Sequence, residues 1–426
     1  MTSTRFLLLA LLAPTAARAQ SDPVAESRIH FRAAVEAYEA WDLPAFLVHA
    51  REAQALRPAH GGVTYTLASA LALTGDTARA LATLRHFAGL GYAADLAADP
   101  DFEALRGTEA YGEITRRLRR NGEPLVASRI ALEIPERDLL TEGIAHDPGD
   151  DALYLGSVHR AKILRVTAVG AVSEFVPAVA GRWAPLGLRV DPERGALWVA
   201  SAALPQTAGY EPADSGRSAI LRYDLRSGRL TARYEAPADG TPHLIGDLIV
   251  ARGGDVYASD SRAPVLYRIP ARGDTLERFV ESPLLLSAQG LALTPDERAL
   301  YVADYSRGIL RVDLRTRRIS AVEASDSVLA LGIDGLYLHR DFLIGIQNGV
   351  TPHRVTRFTL SPAGDRLVRA EVLERAHPRH DEPTLGVLVD GELLYIANAQ
   401  WERFGEDGRI AHPDSLRRPV VLRLPL

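Results

Sequence analysis

The sequence predicts a mainly β protein, a six-bladed β-propeller preceded by a small all-α helical-repeat domain. Three observations carry this. From Ser27 to about Asn121 alanine and leucine dominate and apolar positions recur at three and four, the period of an amphipathic helix. After Asn121 the period falls to that of strands. A strand-turn-strand segment then recurs six times, with copies starting at 143, 187, 247, 290, 335 and 386. That spacing, about 40 to 60 residues, is the span of a propeller blade.

Within the helical region, a shift of 34 residues lays Phe31 on Tyr65, Ala34 on Ala68, Asp42 on Asp76 and Leu47 on Leu81. This helix-turn-helix period resembles tetratricopeptide repeats, where a small alanine lets paired helices pack closely. LRP (56–58) ends the first pair. Two copies are fewer than the roughly three such arrays need to stand alone. The helices expected within residues 101–120 therefore cap the array, or the unit leans on the β region after it. It serves equally as a spacer or as a peptide-binding surface for a protein partner.

In the second region, GIAHDPGDDALYLGSVHRAKILRV from Gly143 aligns with GLALTPDERALYVADYSRGILRV from Gly290 across one single-residue gap. GLRVDPERGALWVAS from Gly187 repeats the strand-turn-strand order, with Trp198 expected in the core. Weaker copies are DLIVARGGDVYASDS, GLYLHRDFLIGIQNG and GVLVDGELLYIANAQ. The last copy has three strands before Leu426, so LVASRIALEI (125–134) is expected to supply its outer strand and leave no open edge.

The first residues, MTSTRFLLLALLAPTAARAQ, combine Arg5, a short apolar stretch (6–13) and Ala17-Arg18-Ala19, the pattern of a secretory signal peptide cut after Ala19. We expect residues 1–19 to be that leader, 20–121 the helical domain and 122–426 the propeller, in an exported protein, periplasmic or secreted. The apolar stretch is about half of the roughly 20 residues a membrane helix needs, and no other segment reaches that length. Cysteine is absent, which excludes disulfides, thiolate metal sites and a cysteine nucleophile. A net charge of −5 gives no global attraction to nucleic acid. The basic run TRRLRRN closes a helix, where it complements the dipole. No GxSxG elbow, HExxH helix or phosphate loop ending in GK is present.

Antiparallel strands put the start of each blade's first strand and the loop after its second on one face. The residues just before the first strands are Glu142, Leu186, Gly246, Gln289, Asp334 and Leu385. Taken singly, Glu142 has an ordinary role pairing with an arginine such as Arg160, Asp334 one ending its strand, and Gln289 one as a satisfied amide. Taken as one column, Glu142, Gln289 and Asp334 are three oxygen donors converging on the channel mouth. Like charges facing a narrow channel repel unless a cation joins them. Hard oxygens suit Ca2+, with Zn2+ or Mn2+ as alternatives, and Asp247 is a further ligand or a residue behind the ligands. Loops on the same face supply the candidate substrate contacts Arg160, Arg262, Arg307, Asn348, His353 and Trp401. Two long insertions (203–218 and 398–419), carrying Tyr210 and Trp401, form a lid or solvated loops. His243, His353 and His380 are candidate proton carriers or ordinary polar residues.

Residues 125–426 resemble the gluconolactonase and senescence marker protein (regucalcin) group of six-bladed propellers, with paraoxonases and strictosidine synthase-like proteins as more distant relatives. The matching motifs are TEG at Glu142 and IDG at Asp334; where the family has NGL this chain has QGL, so Gln289 sets the amide oxygen one methylene further out. The resemblance implies one divalent metal on these three residues that polarises a lactone carbonyl, with Asp334 as general base for the attacking water. It implies a metal-dependent hydrolase of a lactone or related ester. The competing expectation is a non-catalytic propeller that binds a small ligand at its mouth or a protein through its helices. Gln289 and the apolar Leu186 and Leu385 favour that alternative. A redox-cofactor propeller is neither supported nor excluded.

Overall fold

A computed structural model describes residues 22–179 and 181–426. The expected leader, residues 1–19, lies outside the described residues. Five α-helices come first: α1 (Pro23–Glu39), α2 (Leu43–Leu56), α3 (Gly61–Leu73), α4 (Thr77–Gly89) and α5 (Glu109–Gly122). Their starts are written in the sequence. Asp42 caps α2 by accepting from the Ala45 amide, Asp76 caps α4 from Arg79, and Thr108 caps α5 from Tyr111. The two aspartates are the pair that the 34-residue shift superposes. So are Ala34 and Ala68, both fully buried where helices pack.

Six antiparallel sheets follow, each beginning at an inner strand: Thr141–Asp147, Ala184–Asp191, Ile245–Val250, Ala288–Leu293, Ile333–His339 and Gly386–Val389. These are the six expected repeats, and the architecture is a six-bladed propeller behind five helices. The ring closes as the sequence predicts. Arg129–Glu133, entering from the helical side, pairs with Val420–Pro425 as the outer strand of blade six. Blade five alone gains a fifth strand, Glu323–Ala324, parallel to Arg366–Arg375.

Neighbouring inner strands nearly touch. A Cβ on Gly143 would lie 1.9 Å from the Leu186 carbonyl oxygen, and one on Gly290 2.3 Å from the Leu336 nitrogen. At the same position blades two, five and six also carry glycine, and blade three carries Asp247. A second repeated position, at or just past the end of the second strand, ties down the upper loops of blades three, four and six. There Asp260 accepts from the Leu244, Arg262 and Ala263 amides, Asp304 from Leu286, Ser287, Ser306 and Arg307, and Asn398 from Val420.

The helical domain does lean on the propeller. Leu329 and Val350 of blade five belong to the same apolar core as the helices. Arg307 pairs with Asp22 at 2.8 Å, the Thr351 carbonyl accepts from the Ala93 amide, and Leu125 pairs backbone to backbone with Arg375. All but the Arg375 contact, at the end of a blade-five strand, lie on loops of blades four and five. Among the described residues no helix is long and apolar enough to cross a membrane.

Closure is pinned by Glu374. Its fully buried carboxylate accepts from the Ala127 and Ser128 amides, the Ser128 hydroxyl and the Tyr395 hydroxyl of blade six. Burial pushes its pKa up, but these hydrogen bonds outweigh it and hold the group below its ordinary value. The native state therefore binds this proton less readily than the unfolded chain, so the contribution is present at neutral pH and fades as acid titrates the group. Glu374→Ala is expected to lower stability by about 3 kcal/mol at pH 7, read from urea unfolding, because four donors lose their acceptor. The gap to wild type is expected to narrow as the pH falls below about 4.5.

Candidate functional site

All six ring residues line one cavity of about 300 Å3 at the channel mouth, together with Asp247, Arg262, Tyr305, Asn348 and Trp401. Each is delivered by the same geometry, the residue at or just before the closely packed position of its inner strand. Leu186 and Leu385 are buried and form apolar wall between the polar groups.

The polar groups are held individually. Trp401 Nε1 donates to Glu142 Oε2 at 2.8 Å, which brings the blade-six insertion over the mouth. Asn348 Nδ2 donates to Asp334 Oδ2 at 2.8 Å, and the Tyr305 hydroxyl donates to Asn348 Oδ1 at 3.0 Å. Gln289 donates through Nε2 to Ser287 Oγ at 3.2 Å, and its Oε1 accepts no hydrogen bond among the described residues. Asp247 meets Arg189 at 3.4 Å through Oδ2, while its buried Oδ1 has no hydrogen-bond partner among the described residues.

Acid dominates this mouth. Burial, and then the charge of Asp334, drive Glu142 well above the usual carboxylate range against the opposing Trp401 bond. Asp334 is pushed up to about 7 by burial, with Asp247 and Glu382 adding to it and the Asn348 bond opposing. Glu382, also pushed up to about 7 by burial, accepts from the Trp401 amide at 3.2 Å. The Tyr305 hydroxyl is raised by burial and by Asp334, Glu382 and Glu142. No ion pair to Glu142, Asp334 or Glu382 occurs among the described residues.

Several predicted contacts fall elsewhere. Arg160 pairs with Asp138 and does not line the cavity, and Glu142 bonds Trp401 rather than an arginine. Arg307 is drawn to Asp22 of the helical domain, and His353 also lies outside the cavity lining. His243 bonds Asp260 at 2.7 Å and His380 bonds Tyr395 at 2.8 Å, so both serve buried networks. Tyr210 packs on blade two. Glu382 is the acid that sequence reasoning missed: it sits three positions ahead of Leu385, off the repeat column and behind the cavity lining, where it accepts from the Trp401 amide and its charge acts on Glu142 and Asp334.

Among the described residues no group of three or more His, Cys, Asp or Glu side chains is arranged to hold a metal ion. The donor set of the mouth is instead mixed, the carboxylates of Glu142 and Asp334 with the amide oxygen of Gln289 and the unpartnered Oδ1 of Asp247 beside them. That chemistry fits a hard cation such as Ca2+, which takes carboxylate and amide oxygens together.

The molecule is thus a six-bladed propeller with an acidic channel mouth. No family model matches the sequence, and no curated protein matches it. Its structural neighbours include a gluconolactonase from Xanthomonas campestris, at 18% identity over 70% of this chain and 95% of that one, TM-score 0.46. Others are a calcium-binding regucalcin from Agrobacterium tumefaciens (14%, 69% and 93%, TM-score 0.49) and virginiamycin B lyase from Staphylococcus aureus (16%, 62% and 80%, TM-score 0.46).

Acids whose pKa is raised by folding bind protons more tightly in the native state, so stability is lost as the pH rises through about 7. In chelator, Glu142→Gln is expected to melt above wild type at pH 8, with the difference shrinking toward pH 5 in thermal unfolding scans. Equal melting temperatures at pH 8 would show that the buried acids do not strain the metal-free mouth.

Proposed function

We propose that the mouth binds one divalent cation, Ca2+ first among them, and hydrolyses a lactone or related ester. The observation that carries this is the convergence of Glu142, Asp334 and Gln289 in a confined cavity, the acids raised by burial and nearby carboxylates with no basic side chain paired to Glu142 or Asp334 among the described residues. Glu142, Gln289 and Asp334 would hold the ion, with Asp247 behind them. When bound, such an ion stabilises the developing oxyanion of a carbonyl and lowers the pKa of water.

The chain's own residues divide the remaining work. Asp334 takes a proton from the attacking water and returns it to the departing alkoxide oxygen, giving a hydroxy acid. Asn348 and Tyr305 fix which way that carboxylate points. Trp401 orients Glu142 and, with Glu382, shuts the blade-six side of the mouth. Leu186, Leu204, Leu244 and Leu385 exclude water around the carbon skeleton. Arg262 is exposed at the rim, and its guanidinium makes no hydrogen bond or ion pair among the described residues, which suits it to a polar group of the substrate. Residues 1–19 are proposed to direct the chain to a periplasm or outside the cell.

A non-catalytic ligand-binding propeller is the second reading, favoured by Gln289, tied back to Ser287, and by the two leucines in the ring. Calorimetric titration with Ca2+, alongside hydrolysis of a panel of aldonolactones and aryl esters, separates the two. We expect Ca2+ to bind, turnover to stop in chelator, and Asp334→Ala to lower kcat/KM by about a hundredfold or more. If no divalent ion binds at millimolar concentration, the hydrolase reading fails. If Ca2+ binds and neither lactones nor esters react, the binding reading replaces it.

A further inference from the structure

A second and larger cavity, about 800 Å3, opens between the helical domain and the propeller loops. Its size lies within the range of small-molecule sites. One wall is aromatic. Phe87 and Tyr92 stack with ring centres 4.8 Å apart and planes 8° from parallel, and Tyr65 meets Phe87 edge-on at 5.6 Å. The hydroxyls are engaged elsewhere: Tyr92 donates to the Ala59 carbonyl and accepts from the Gly61 amide, while Tyr65 donates to Asp99. Phe87 and Tyr92, 5% and 7% exposed, present narrow strips of ring to the cavity, and the partly buried Tyr65 adds to them.

The opposite edge is cationic. Arg28 donates to Ser306 Oγ at 2.9 Å and Arg57 to the Ser306 carbonyl at 2.7 Å, so two guanidinium groups from α1 and the end of α2 converge on one propeller loop. Neither forms an ion pair with a carboxylate among the described residues. Asp304, the nearby acid whose charge Arg57 feels, is already taken by four backbone amides. Burial, with the charges of Arg28 and Arg307, lowers Arg57 to about 10, and His60 in the same wall is held neutral, its pKa lowered to about 4 by burial and both arginines. Two cations brought together without an acid between them are relieved by an anion in the cavity.

We propose that this cavity binds a small organic anion with a ring-shaped apolar body, its charge on Arg28 and Arg57 and its ring against Tyr65, Phe87 and Tyr92. Neither residue class alone selects it: the arginines read the charge, and the stacked rings read the body. Both sets belong to the helical domain, which gives that domain a ligand of its own. The site shares only Tyr305 with the acidic mouth, so it stands independently of the chemistry proposed there.

The test is calorimetric titration of the full chain with 2-naphthoate, its neutral amide 2-naphthamide, and inorganic phosphate. The naphthoate is expected to bind about tenfold or more tighter than either, as fits a charge-assisted contact combined with ring burial. Arg28→Gln/Arg57→Gln should lose that advantage. Because those arginines also hold the Ser306 loop, Thr66→Trp, which fills the cavity and leaves both in place, provides a second arm, with circular dichroism and melting temperature checking each fold. It should abolish naphthoate binding. The proposal is overturned if naphthamide or phosphate binds as tightly as naphthoate, if Thr66→Trp binds as wild type does, or if naphthoate does not bind at millimolar concentration.

Discussion

The close approach of the inner strands around the propeller axis is the constraint on which the rest of the molecule depends. At Gly143 and Gly290 there is no room for a methyl group, because the backbone of the next blade occupies its place. Close packing of this kind forces whatever residue precedes the tight position onto the rim of the channel. The mouth is therefore a property of ring closure, and a polar residue in that column is delivered to the cavity without any local motif. Asp247 is the exception that fits the rule. It stands where five blades carry glycine, its side chain is buried against blade two, and one of its oxygens lacks a partner.

Charge is distributed with a clear contrast. Many arginines away from the mouth are paired with acids, as in Arg268 with Asp255 and Arg357 with Glu371. Among the described residues Glu142, Asp334 and Glu382 have no such partners, and burial and nearby carboxylates shift their protonation toward neutrality. An unpaired buried carboxylate is costly in a folded chain. Its persistence beside amide oxygens is the physical reason to look for a cation there. The complementary imbalance lies a short way off, where Arg28 and Arg57 meet at Ser306 with no ion pair to an acid among the described residues. Two neighbouring cavities of opposite charge, separated by Tyr305, give the upper face of this protein its chemical character.

The helical domain owes its position to both parts of the chain. Its two hairpins are too few to bury their own faces, and the missing apolar surface comes from Leu329 and Val350 of blade five. Asp304 shapes the docking loop by holding four amides at once, leaving Ser306 and Arg307 turned toward the helices. The same loop contributes Tyr305 to the mouth. Support for the helices and one wall of the candidate site thus rest on a single strand ending.

Much of this was legible in the residues themselves. The six copies, the closure by residues 125–134, the caps at Asp42 and Asp76 and the convergence of Glu142, Gln289 and Asp334 follow from periodicity, since a repeat places equivalent residues equivalently. The contacts between loops were not. Arg160 and Arg307 look like mouth residues by their place in the chain, yet each is taken by a nearer acid, Asp138 or Asp22. Glu382 lies off the repeat column, behind the cavity lining, and is tied to the mouth through the Trp401 amide. The sequence by itself determined the architecture and the polar column, because both are set by period and spacing. The tertiary structure alone decided the partners of each charge and the docking of the helices, because those depend on which loops meet in space.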